Sequence, residues 1–88
     1  MKIREGFVVR KIAGVNVVIS LETRADDSNS VIQLNDTGLL LWERLLVGAE
    51  KDTLVQTLLD TYDVTEDVAR RDVDAFVKLL ESADVFEE

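Results

Sequence analysis

Carboxylates are the groups in this 88-residue sequence best able to do chemistry: it holds 18 Asp and Glu against 10 Lys and Arg, and no Cys or His. Without Cys there is no thiol nucleophile, thiolate metal site or disulfide. Without His the commonest general base and transition-metal ligand are missing. Asp26, Asp27 and Ser28 could in principle hold a divalent cation. A calcium loop, however, needs acidic or amide ligands at alternating positions and a closing Glu, and these are lacking. The pairs Glu66/Asp67 and Asp72/Asp74 could serve as acid and base only if one carboxyl sat in apolar surroundings. Their spacing places them on exposed helix faces, where Glu66 and Asp67 favour a helix N-terminus. Asp36-Thr37-Gly38 has one glycine and is no phosphate cradle; it reads as a helix cap with a close-packing glycine. Neither Ser28, in a polar stretch, nor Ser82, near a helix end, suits the carrier serine of an acyl carrier protein. Trp42, Tyr62 and Phe76 fall on apolar helix faces and read as packing residues, Phe76 being the one with another candidate role. No catalytic residue, metal or cofactor is expected.

The elements that must position these residues follow from periodicity. Phe7–Ile12 and Val15–Leu21 are rich in β-branched residues and read as strands. Ala13-Gly14 between them suits a tight hairpin, with Gly14 supplying a positive φ. In the second run Val15, Val17, Ile19 and Leu21 share one face and Asn16, Val18 and Ser20 the other, the pattern of a half-buried strand. Residues 22–30 are polar and read as a loop. A short third strand, Val31–Leu34, puts Ile32 and Leu34 on one side and Val31 and Gln33 on the other. Asn35-Asp36-Thr37 then offers helix caps before Leu39, Leu40, Trp42, Leu45 and Leu46, and Gly48 ends that helix. A second helix spans about 52–62, with the stripe Leu54, Val55, Leu58, Leu59 and Tyr62. Thr65 caps a third, running to about residue 84, whose expected seam is Ala69, Val73, Phe76, Leu80 and Ala83. The order β-β-β-α-α-α predicts an α+β domain over residues 1–88, a three-stranded antiparallel sheet packed on three helices.

Charge narrows the function. Residues 1–44 are neutral overall, and the whole net charge of −8 falls in residues 45–88. A nucleic-acid binder needs a basic footprint to displace counterions from phosphate, and an anionic membrane needs the same. Neither partner is expected. No apolar run approaches the roughly 20 residues of a membrane span. The first residues, Met1 to Gly6, break up too early for a signal peptide. A soluble, cytoplasmic protein is the expectation. The third strand is more informative. In a meander its outer edge has no neighbour, and unpaired edge groups template an added strand. Neither Val31 nor Gln33 is a Pro or Lys that would block that edge. A helix or loop could cover it, or a second copy could pair with it across a two-fold axis to give a homodimer.

Three segments in combination carry a resemblance over nearly the whole chain. They are Glu5-Gly6-Phe7-Val8-Val9-Arg10 with Ile12-Ala13-Gly14; Ile32-Gln33-Leu34-Asn35-Asp36-Thr37-Gly38 with Leu41-Trp42; and Tyr62-Asp63-Val64 with Ala69-Arg70, Asp72-Val73 and Phe76. In order and spacing they resemble the PqqD-like family of recognition elements for ribosomally made, modified peptides. The likeness is greater to the broader family than to the member serving pyrroloquinoline quinone synthesis. It implies a winged helix-turn-helix-like fold and a binding module without catalysis. It implies that the leader of a precursor peptide adds as a strand to the third strand, and that a separate modifying enzyme, often a radical SAM protein, then receives the peptide. Carried onto this sequence, the peptide would meet the backbone of Val31, Ile32, Gln33 and Leu34. Asp72, Phe76, Leu79 and Leu80 would form the other wall, with Val73 behind them. An acidic protein-docking or regulatory domain is the alternative function.

Overall fold

The computed structural model describes residues 1–21 and 32–87. Val31, and the polar stretch with Asp26, Asp27 and Ser28, lie outside them. The chain runs β1 (Phe7–Ile12), β2 (Val15–Ser20), β3 (Ile32–Leu34), α1 (Asp36–Val47), α2 (Lys51–Thr61) and α3 (Glu66–Ser82). This is the α+β arrangement expected from the periodicities. The strands form one antiparallel sheet in the order β1-β2-β3. Ala13 and Gly14 both take positive φ, 51° and 81°, which is the two-residue turn whose twist matches a hairpin.

The register fixes which backbone groups remain free. Leu21 donates to the Gly6 carbonyl at 2.7 Å, so positions 6 and 21 form a hydrogen-bonded pair. Such pairs alternate along an antiparallel ladder. With Val8 opposite Ile19 and Arg10 opposite Val17, the groups of Val17 and Ile19 therefore face β1, and those of Asn16 and Val18 face β3. Asn16 pairs with Leu34 and Val18 with Ile32, which leaves the N–H and C=O of Gln33 directed away from the sheet. On the opposite edge the same alternation turns the groups of Phe7, Val9 and Lys11 outward.

The core lies between the sheet and the helices. Val18, Leu34, Trp42, Leu45, Leu54, Leu58, Val73 and Leu80 are all fully or almost fully buried. Phe7 meets Trp42 edge-on, with ring centroids 6.3 Å apart, and Arg4 covers the other part of the Phe7 ring at 4.9 Å. Residues 2–4 close the molecule. Ile3 bridges Phe86, and the N–H groups of Ile3 and Arg4 donate to the carbonyls of Leu45 and Val85.

Three details differ from the sequence reading. In β2 the deepest residue is Val18, while Val15 and Leu21 are exposed and the strand ends at Ser20. Both faces of this strand carry apolar residues, so alternation alone cannot choose between them. The choice is made with the neighbouring strands: Phe7 and Val9 lie opposite Ser20 and Val18, Ile32 and Leu34 lie opposite Val18 and Asn16, and all four belong to or pack on the core. In α1 Leu41 joins Trp42 and Leu45 inside, and Leu46 is half out in solvent. In α3 the buried line is Ala69, Val73, Val77 and Leu80; Phe76 sits at its margin and Ala83 is exposed. Residues 76 and 77 fall on either side of the same helical line, so either spacing satisfies the pattern.

Candidate functional site

The site is built at the junction of β3 and α1. Asn35 follows β3 directly in extended backbone and caps α1, its side-chain oxygen accepting from the Gly38 N–H at 2.7 Å. Gly38 keeps this turn close. A Cβ at this position would stand 3.2 Å from the Asn35 Oδ1, closer than most such contacts, and 3.4 Å from a Leu34 methyl group, so the capping side chain would have to shift by a few tenths of an ångström. The close turn lets the chain leave the sheet edge and enter the helix without covering that edge.

α3 supplies the facing wall. Thr65 caps it by accepting from the Val68 N–H at 3.3 Å, and Glu66 and Asp67 complement the dipole of its first turn. α3 packs chiefly on α2 and β3 chiefly on α1 and β2, so β3 and α3 have little direct contact. Between the start of α1 and the middle of α3 lies an open groove of about 350 Å³. Asn35, Thr37, Gly38 and Leu41 line one side, and Asp72, Ala75, Phe76 and Leu79 the other. The floor is apolar, and Leu79 is 49% exposed.

The predicted site residues thus fall into three groups. Asp72, Phe76 and Leu79 stand together in the groove. Ile32, Gln33 and Leu34 form β3, with Gln33 exposed and Leu34 buried beneath it. Val73 and Leu80 are fully buried and belong to the core that supports the groove. Val31 lies outside the described residues. Asn35, Thr37, Leu41 and Ala75 line the groove but were not singled out for it. The capping signal at Asn35-Asp36-Thr37 was legible, and it marked one end of the groove as well as a helix start.

Among the described residues the carboxylates show no arrangement suited to acid/base work. Asp72 is exposed, and Asp74 is held by Lys51 at 3.4 Å. Arg70 reaches Asp52 at 3.1 Å and Glu66 at 3.3 Å, tying α2 to α3 through their outer faces. No group of acidic residues among the described ones could hold a metal ion. Ser82 donates to the carbonyl of Lys78, one turn back on its own helix. Trp42 is core, and Tyr62 is partly exposed at the end of α2.

Residues 16–85 match the family described as coenzyme PQQ synthesis protein D (PqqD). The chain belongs to the PqqD family. Two solved structures are similar to it along most of their length. A lasso peptide synthetase B1 complexed with the leader peptide is 30% identical, covers 92% of this chain and 89% of its own, and superposes with a TM-score of 0.71. TbiB1 in complex with the TbiA(beta) leader peptide is 23% identical, covers 99% of this chain and 95% of its own, and has a TM-score of 0.76. The second likeness is one of fold. No curated protein matches the sequence. No helix among the described residues is long and apolar enough to cross a membrane.

Proposed function

We propose that this PqqD-family chain is a non-catalytic recognition domain, acting over residues 1–88, that captures the leader segment of a ribosomally made precursor peptide. The leader adds as a strand to the outer edge of β3 and lays alternate side chains into the groove along α3. The observation that carries this reading is the outward-facing N–H and C=O of Gln33 at the edge of the sheet, beside the open groove lined by Asp72, Phe76 and Leu79. Main-chain hydrogen bonds to such an edge supply affinity, and pockets for every second side chain supply specificity. A relative 30% identical over most of its length was solved with a leader peptide bound, which supports the same occupant here.

In this reading Gln33 pairs with the peptide backbone, Phe76 and Leu79 receive apolar side chains, and Leu41, Val73 and Leu80 support the groove from behind. The fold works as a winged helix-turn-helix turned from nucleic acid to peptide, in keeping with the acidic charge. The domain then hands the core peptide to a separate modifying enzyme in the cytoplasm. The 30% identical relative, a lasso peptide synthetase B1, favours an enzyme of lasso-peptide synthesis as that partner, with a radical SAM enzyme as the other choice suggested by the family.

The test is a titration of isotope-labelled protein, followed by NMR, with the leader of a small peptide encoded beside this gene. Strand addition predicts shifts concentrated on residues 32–38 and 68–80. Shifts confined to the outer face of α2 would instead support an acidic docking domain. A homodimer through β3 would compete with the peptide, so its population should fall as leader is added.

A further inference from the structure

Asp72 is out of keeping with its surroundings. On α3 the residues that share its side of the helix are Val68, Ala75, Phe76 and Leu79, and all are apolar. Val68 and Leu79 are 38% and 49% exposed, so this stripe is open rather than folded into the core. The Asp72 carboxylate stands in the middle of it without a hydrogen bond or ion pair among the described residues. Two nearby acids of α3 differ: Glu66 is bound by Arg70, and Asp74 by Lys51. The groove lining contains no Lys or Arg, from α1 or from α3. The other polar groups there are Asn35, whose side-chain oxygen is already engaged by Gly38, and Thr37.

From this we infer that the captured segment carries a Lys or Arg that pairs with Asp72, flanked on the same strand face by apolar residues. This inference rests on the capture reading and makes its substrate class specific. The spacing agrees. Four residues of α-helix advance about 6 Å, and two residues of strand advance about 6.6 Å. For a strand lying along α3, positions 68, 72 and 76 would match three successive same-face positions, with 72 and 76 in the groove and Val68 just beyond its lining. The pattern is apolar-x-basic-x-apolar, with Val68 and Phe76 meeting the outer two and Leu79 extending the apolar end. The net charge of −8 works in the same direction, since it draws cationic segments and repels anionic ones.

The experiment is a selection of random nonamer peptides by display on the wild-type protein, on Asp72→Asn and on Asp72→Lys. Because Asp72 is exposed, both variants should fold, and their circular dichroism should match the wild type. Wild type is expected to enrich Lys or Arg at one position with apolar residues two places to either side. Asp72→Asn should keep the apolar positions and lose the basic one. Asp72→Lys should replace it with Asp or Glu. For a single enriched peptide, Asp72→Asn should weaken binding by about 2–5-fold, the range of a solvent-exposed ion pair. Enriched peptides whose charge does not change with residue 72, but which still lose binding in Gln33→Pro, overturn this inference and leave peptide capture standing. Peptides indifferent to Gln33→Pro, or no enrichment at all, overturn the capture reading and this inference together.

Discussion

The sheet has two outer edges, and the longer one is the less suited to receive a peptide. β1 turns the backbone groups of Phe7, Val9 and Lys11 outward, whereas β3 offers those of Gln33 alone among the described residues. By main-chain hydrogen bonds β1 should be the better template. Its side chains argue otherwise. Arg10, Lys11 and Ile12 are exposed along it, and charged residues, Lys above all, are the usual means of keeping an edge from pairing. β3 reads Ile-Gln-Leu, without charge, and runs directly into a groove with an apolar floor. The difference teaches that an open edge is necessary for strand capture but does not select. β1 has a groove of its own, shared with Leu39, Trp42 and Leu46 of α1, so on the proposed reading selection comes from the charge on β1 and from the particular wall that α3 sets beside β3.

Gln33→Pro attacks the favoured edge most directly. The N–H it removes points away from β2, so the ladder within the protein is untouched and the fold should hold, as prolines are tolerated on strand edges. The peptide loses the bond to that N–H, and the ring's crowding of its approach costs it the second, to the Gln33 carbonyl. Affinity for leader should fall by about 30–100-fold, as two lost hydrogen bonds of ordinary strength would give. Calorimetry on the variant checks this, with thermal unfolding to confirm that it is folded. Retained affinity would move the peptide away from β3.

The wall is tested by a pair of substitutions on one helix. Phe76→Ala removes a half-buried ring at the groove, and binding should weaken by about tenfold, from the apolar area it offers the peptide, with only a modest loss of stability. Leu80→Ala, one turn further on and fully buried, should cost about 2–5 kcal/mol of stability. If Phe76→Ala were the more destabilising of the two in denaturant titrations, the ring would belong to the core and not to the groove.

This division was only partly legible in the sequence. The helices and strands were plain, because caps at Asn35 and Thr65, the Ala13-Gly14 turn and the apolar stripes are local signals. What periodicity could not settle was rotation by one residue. Phe76 and Val77 both fit the α3 seam, and Leu41 and Leu46 both fit that of α1. The outcome depends on which neighbour packs against each side, and that is a tertiary fact. The same holds for β2, where both faces are apolar and the neighbours Phe7 and Val9 of β1 and Ile32 and Leu34 of β3 turn Val18 inward. The open edge could be suspected from the meander, but the outward direction of Gln33 required the register.

The junction between edge and wall is tested by Asn35→Ala. Losing the cap on α1 should cost about 1 kcal/mol, lowering the unfolding midpoint by roughly 4–8 °C in a domain of this size. Because Asn35 also lines the groove, peptide affinity should drop as well. Thr65→Ala, which removes the longer and more exposed cap bond on α3, should lower the midpoint less and leave the peptide site nearly intact.

The smallest expected effect is the sharpest control. Lys11→Pro on β1 is the counterpart of Gln33→Pro: it too removes an N–H that faces out of the sheet, at an exposed position, without breaking the β1–β2 ladder. If the wall selects the edge, this substitution should leave leader affinity unchanged within about twofold, and stability within about 0.5 kcal/mol, the usual range for a surface change. Competitive binding against the wild type would resolve a difference of that size. A loss comparable to that of Gln33→Pro would mean that β1 also receives peptide, and that its basic residues guide a partner instead of repelling one. The groove along α3 would then have no privileged role. An unchanged affinity assigns discrimination between two edges, each with a groove beside it, to the uncharged β3 strand and the α3 wall.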